Sequence, residues 1–323
     1  MADEILLDVI DLKKYFPISR RTVVKAVDGV SFSVRRGETL GVVGESGCGK
    51  TTTGRLLLNL IPPTSGKVYF DGQEICSLPA FELRKLRCKM QIVFQDPYSS
   101  LNPRMTIGSI LSFPMRVHNL YQGRRHKRVD ELLELVGMSP SDVNRYPHEF
   151  SGGQLQRIGI ARALAVDPVF IVADEPVSSL DVSIQSQILN LFKDLKEKLT
   201  LTYVFIAHDL SAVEFISDRI AVLYLGKIVE FAPSGQLYKR AYHPYTKSLI
   251  SAIPVPDPEI EKKKGKFKLE GEVPSPINPP LGCSFNTRCP WSIEKCCSEP
   301  PPKLEEFQDE YWVRCWRVHE ISP

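Results

Sequence analysis

The sequence predicts an α/β fold built on a parallel sheet, and two observations carry that prediction. First, the apolar run "TLGVV" at residues 39–43 leads straight into a glycine-rich turn, "GESGCGKT", with a helical pattern beyond it. Second, the later runs "VFIVADEP" and "TYVFIAHD" are apolar stretches that end in polar residues and precede helical patterns. Strand followed by helix, repeated along a chain, argues for parallel pairing with helices covering the sheet.

The elements follow in order. "LLDVIDLKKYF" and "VKAVDGVSFSV" read as strands, and so does "KVYFDGQEI", where Asp71-Gly72 is a turn signal. From Pro97 to about Arg145 the pattern turns helical. In "HKRVDELLELVG", Val129, Leu132, Leu133 and Val136 fall on one face. In the helix "VSIQSQILNLFKDLKEKL", Ile184, Ile188, Leu191, Leu195 and Leu199 keep one apolar stripe, with Asp181 ahead of it as a helix-start signal. No internal repeat is visible, which predicts a single such unit. After about Ala252 the composition changes to a connector rich in Pro, Lys and Glu, and a cysteine-rich tail follows.

At 323 residues, with 43% hydrophobic and 24% charged residues, the chain has ample material for a buried core. A formal charge of +3 does not by itself imply nucleic acid. The basic runs "KKKGKFK" and "GRRHKR" could meet anionic headgroups or nucleic acid, and read more simply as solvated surface. The N-terminus shows no secretory pattern, and the longest apolar runs fall far short of the roughly 20 residues that span a bilayer. A chain that stays in the cytoplasm is the expectation.

The chemistry concentrates in four places. "GESGCGKT", Gly44 to Thr51, fits G-x-x-x-x-G-K-[ST] in the strand-to-helix context that a phosphate loop requires. Amides of the loop and the following helix start, across Gly44, Ser46, Gly47, Gly49 and Thr52, can surround phosphate oxygens. Lys50 supplies a cation for the β and γ phosphates and the Thr51 hydroxyl a ligand for Mg²⁺. In "VFIVADEP", Asp174 emerges where open α/β sheets bind ligands, placed for the magnesium shell, with Glu175 as base for, or orienter of, an attacking water. Alone, a strand ending in Asp-Glu is common; beside a phosphate loop it reads as a hydrolase site. His208 closes a third such strand in "TYVFIAHD". Finally, "FSGGQLQRIGIARALA" places Ser151 at a helix start with two glycines, an anion-binding arrangement that leaves open whose anion it receives.

Together these segments resemble the ATP-binding cassette (ABC) ATPases over about residues 5 to 250: phosphate loop, Gln95 in "VFQDP", the signature "FSGGQ" with Phe150 where Leu is commonest, "VFIVADEP", "SSLD" and "AHD" occur in the family's order. The resemblance implies a RecA-like parallel sheet core with an antiparallel β subdomain and a helical subdomain at about 97–165, in an ATPase domain spanning 1–252. It implies ATP and Mg²⁺ as cofactors. Tyr15 would stack on adenine, with Phe16 as rival; Gln95 would join Thr51 and Asp174 around magnesium; His208 would hold the γ-phosphate. Ser151, Gly153, Gln154 and Asp181 would complete the ATP site of a second cassette, so hydrolysis would need a head-to-tail dimer.

The branch is narrowed by what the chain contains. Residues 52–150, between phosphate loop and signature, hold no sustained heptads, unlike chromosome-maintenance members. "QDPYSSLNPRMTIGSI", "YHPYTKSLISAIP" and "GEVPSPINPPLGCSFNTRCP" look like the oligopeptide and dipeptide importer ATPases, especially their F-type subunit. That resemblance implies a second homologous ATPase in a heterodimer, two transmembrane permease subunits, an extracytoplasmic substrate-binding protein, no nucleic acid, and a place on the cytoplasmic face of the membrane. Nickel and oligosaccharide importers are close relatives, and a soluble ABC ATPase without a membrane partner is the rival class.

Five of the eight cysteines fall after Leu281. A cytoplasmic location disfavours a disulfide. The spacing Cys283-x5-Cys289-x6-Cys296, then Cys315, leaves zinc, an iron–sulfur cluster and plain packing all open. The importer resemblance implies a small C-terminal Cys-rich regulatory domain, residues 253–323, with a 4Fe-4S cluster on Cys283, Cys289, Cys296 and Cys315; Cys297 departs from the pattern.

Overall fold

Strands such as "TLGVV" and "FIVAD", apolar at every position, can only be stable with both faces covered, and in the computed structural model all their residues are buried. The structure describes residues 4–19, 22–253 and 271–321. The "KKKGKFK" run and most of the predicted connector lie outside the described residues. The chain divides into two compact units, one formed by residues 1–5, 34–39 and 77–207, the other by 6–33, 40–76 and 208–323.

In the first unit, strands Met90–Val93, Phe170–Asp174 and Thr202–Ile206 pair in parallel, with Phe170 opposite both Met90 and Thr202. The strand-then-helix reading predicted that direction. Gln95 and Glu175 follow the C-terminal ends of the first two strands. Helices Ile107–Val117, Arg125–Leu135 and Gly152–Leu164 precede the Phe170–Asp174 strand, and Val182–Leu199 follows it. The predicted stripe Val129, Leu132, Leu133 and Val136 is wholly buried. In Val182–Leu199 the stripe is buried at Ile188, Leu191 and Leu195, half-buried at Ile184 in the first turn, and exposed at Leu199 in the last. Part of "GRRHKR" is neutralised locally: Arg128 pairs with Glu131 and Asp167 and lies over the Tyr121 ring.

The second unit holds a four-stranded sheet in the order Val23–Arg35, Ile5–Pro17, Ser65–Phe70, Gln73–Glu74. The last two strands form a hairpin across Asp71 and Gly72, both left-handed at φ 53° and 76°, the geometry a tight two-residue hairpin turn demands. It also holds the phosphate-loop strand Thr39–Val43, parallel to Arg219–Tyr224. Antiparallel strands continue outward through Lys227–Pro233 to Tyr311–Val313 and Glu305–Gln308. The C-terminal tail therefore contributes a hairpin to a sheet edge, an element that its composition did not predict. No helix of the described residues is long and apolar enough to cross a membrane.

Candidate nucleotide site

The phosphate loop is shaped by what its backbone must touch. Gly49 takes φ 104° directly before helix Lys50–Leu57, and a Cβ there would lie 2.1 Å from the Ala26 carbonyl oxygen, so only glycine fits. Lys50 is buried, and its Nζ donates to the carbonyls of Gly44 at 2.8 Å and Glu45 at 3.1 Å, folding the cation back over the loop. Gly44 is buried, Ser46 and Gly47 are exposed, and Thr51 and Thr52 are half-buried in the helix's first turn. His208, in the same unit, is exposed ahead of helix Leu210–Ile216. Tyr15 is half-buried. Its hydroxyl donates to Asp28 Oδ1 at 2.5 Å, and burial followed by that bond pushes its pKa up. Burial pushes the Asp28 carboxyl up, but Lys227, 2.7 Å from Oδ2, and Tyr15 outweigh it and hold it below the usual range.

The first unit holds the other predicted residues. Asp174 ends its strand almost fully buried. Glu175, next in line, adopts φ 48°, an uncommon backbone for a non-glycine residue, held by its N–H donating to the Ile206 carbonyl at 2.9 Å. Gln95 Nε2 donates to Glu175 Oε2 at 3.0 Å. Ser151 caps helix Gly152–Leu164 in a reciprocal box: its Oγ accepts from the Gln154 N–H, and Gln154 Oε1 accepts from the Ser151 N–H at 3.0 Å. Gly153 packs against Ile184 of helix Val182–Leu199. Asp181 occupies the N-cap position of that helix and is exposed, yet its side chain makes no capping hydrogen bond.

The iron–sulfur expectation is overturned. Among the described residues no group of three or more His, Cys, Asp or Glu side chains is placed to hold a metal ion. Cys283, Cys289, Cys296 and Cys315 do line one cavity with Phe285, Trp291 and Trp316, but its volume is about 20 Å³. That is space for about one water, not for a four-iron cluster. Burial pushes the Cys283 thiol up to about 11, the Cys315 thiol up to about 12, and Cys289 upward, favouring thiols over the thiolates a metal needs. The cysteines act as small packing groups around aromatic rings. All eight cysteines of the chain are free.

Two known families match the chain: the ABC transporter family over residues 27–178, and the oligopeptide/dipeptide transporter C-terminal region over residues 229–296. A putative oligopeptide transport ATP-binding protein of Bacillus subtilis, YkfD, is 54% identical over 96% of this chain and 94% of its own length. A second from that organism, the oligopeptide transport ATP-binding protein AppF, is 53% identical over 97% of each chain. The chain belongs to the oligopeptide/dipeptide family of ABC transporter ATP-binding subunits. It is an ATP-binding and ATP-hydrolysing ABC ATPase. A solved ABC cassette, MJ0796, in a dimeric post-hydrolysis state bound to ADP and Pi, superposes with a TM-score of 0.64 at 31% identity, covering 71% of this chain and 98% of that one.

Sequence alone did not mark one residue of the phosphate loop, Glu45, or the two that hold it from outside, Tyr245 and Arg288. The Glu45 N–H donates to the Tyr245 hydroxyl at 2.8 Å, and the Glu45 carboxylate accepts from Arg288 Nη1 at 2.8 Å and Nη2 at 3.1 Å. Glu45 stands at a variable position of the loop motif. Arg288, next to Cys289, was masked by the cysteines around it.

Proposed function

We propose that this subunit powers the import of oligopeptides or dipeptides, hydrolysing ATP at the cytoplasmic face of the membrane as one of two homologous ATPases. These would act beneath two permease subunits fed by an extracytoplasmic binding protein. The observation that carries the reading is the phosphate loop, with its buried Lys50 folded over the loop carbonyls, in a chain whose C-terminal region matches the peptide-transporter family.

In the proposed cycle Tyr15 packs on adenine, while amides of Gly44, Ser46, Gly47, Gly49 and the first turn at Thr52 receive the phosphates. Lys50 exchanges its loop carbonyls for β and γ oxygens. The Thr51 hydroxyl, Gln95 amide oxygen and Asp174 carboxylate are each the kind of hard oxygen donor that would hold magnesium, which would neutralise charge on the phosphates. Glu175, oriented by the Gln95 amide, positions and deprotonates the attacking water, and His208 steadies the γ-phosphate. Ser151, Gly153, Gln154 and Asp181 serve the nucleotide of the partner cassette. The hairpin Glu305–Gln308 and Tyr311–Val313 ties the C-terminal region to the strand Lys227–Pro233.

The test is purification of the intact complex with its binding protein. Two hydrophobic membrane proteins should co-purify, a peptide should be found on the binding protein by mass spectrometry, and peptide-loaded binding protein should stimulate ATP hydrolysis. Glu175→Gln should keep ATP binding and lower turnover by at least ~100-fold, as for loss of a general base. Near-normal hydrolysis by that variant would defeat the role given to Glu175, and a sugar or metal chelate as the bound cargo would defeat peptide import.

A further inference from the structure

The tail reaches the phosphate loop through one residue of opposite charge. Arg288 grips Glu45 with two parallel N–H···O bonds, the fork geometry that suits guanidinium and carboxylate. The Arg288 side chain is 8% exposed against 29% for Glu45, so the pair is partly withdrawn from water and screened less than a surface bridge. Arg288 is also held from beneath, its guanidinium 6.0 Å from the Tyr224 ring centre. Tyr224 and Tyr245 meet at 4.7 Å, and Phe285 packs on both. The Tyr245 hydroxyl accepts the Glu45 amide. Carboxylate and amide of one loop residue are therefore fixed by two residues well outside the nucleotide-binding motifs.

The chemistry gives this a purpose. A carboxylate at the second position of a loop that receives a polyphosphate repels its ligand unless its charge is cancelled. We infer that Arg288 is a positioning residue of the ATP site: it neutralises Glu45 and, with Tyr245, holds the Gly44–Ser46 turn in its phosphate-receiving shape, so that the C-terminal region sets nucleotide affinity. This rests on Gly44–Thr51 being the phosphate loop. The Lys50→Ala variant tests that separately, since an unchanged ATP affinity there would remove the loop reading itself.

The experiment titrates the full chain with a non-hydrolysable ATP analogue and follows ATPase activity in the assembled complex. Arg288→Ala should weaken analogue binding roughly tenfold, about 1.4 kcal/mol, and raise KM for ATP in proportion while kcat at saturation is kept. Arg288→Lys, which retains the charge but not the fork, should fall between. The double variant Arg288→Ala/Glu45→Gln should recover most of the affinity, because the repelling charge is gone; a merely structural loss would not be repaired by a second lesion. Wild-type affinity in Arg288→Ala at unchanged thermal stability overturns the proposal, as does a double variant no tighter than the single one. If Arg288→Ala does not fold, Arg288→Lys with and without Glu45→Gln decides by the same criteria.

Discussion

His243 sits at the N-cap of helix Pro244–Ser251, its Nδ1 accepting the Tyr245 N–H at 3.1 Å and its own N–H donating to Glu230 Oε2. Burial, with Arg314 adding to it, pushes its pKa down from 6.5 to about 3, so the folded protein holds it neutral. Unfolded, it binds a proton as pH drops below 6.5. Its contribution to stability is therefore complete above 6.5 and is lost as the pH falls toward 3. Glu230, fully buried and pushed upward by burial, has the opposite sign: its protonated form favours the fold, so stability from it declines as the pH rises. The two are separated by His243→Asn, which keeps a capping acceptor without a titrating ring. Urea midpoints should fall between pH 6.5 and 5 more steeply for the wild type than for the variant. The difference has a ceiling of about 1.4 kcal/mol per pH unit. Parallel curves for the two proteins would show that His243 is not held neutral.

At the scale of elements, the phosphate-loop strand lies against helix Leu210–Ile216 so closely that a Cβ on Gly41 would meet Val213 Cγ1 at 2.3 Å and Ser217 Oγ at 2.5 Å. Gly41→Ala should then destabilise the chain by about 1–3 kcal/mol, the usual cost of overpacking. Val213→Ala in the same chain should return part of it. Equal thermal midpoints for wild type and Gly41→Ala would contradict that close approach. Contacts of this kind explain what could be read in advance. "TLGVV", "VFIVADEP" and the Gly44–Thr51 loop were legible because period, turn chemistry and polar strand ends are written locally. The hairpin Glu305–Gln308 and Tyr311–Val313 was not. Its strands are only four and three residues long, too short to show a period, and it is held by distant partners: Trp312 against Phe231, and the Tyr311 hydroxyl on Glu230 at 2.6 Å. The cysteines mark the other limit, because spacing states which sulfurs are near in sequence and packing decides whether they surround a metal or an aromatic cluster. Arg288 and Glu45 lie 243 residues apart, and no local pattern joins them.

Across the whole molecule, the C-terminal region is part of the motor's own packing rather than an appendage. Glu230 is fully buried in a strand of the ATPase unit, and it accepts from Tyr311 as well as from the amides of Tyr242 and His243. Removing the residues after Ile253 would take away Tyr311 and leave a buried carboxylate short of a donor. A bond to a charged group of this kind is worth about 1.5–3 kcal/mol. The same truncation strips Phe285 from Tyr224 and Tyr245, and Trp312 from Phe231, so the total loss should exceed that single bond. In a chain of this size each kcal/mol moves the thermal midpoint by roughly 2–4 °C, so the truncated protein should melt at least ~5 °C lower. Glu230→Gln in the truncated chain should recover part of the drop, since a neutral amide is cheaper to leave incompletely bonded than a carboxylate. If truncated and full-length chains melt together, the tail carries none of this stability, and its contacts with Glu230 and the Tyr224 ring are energetically idle.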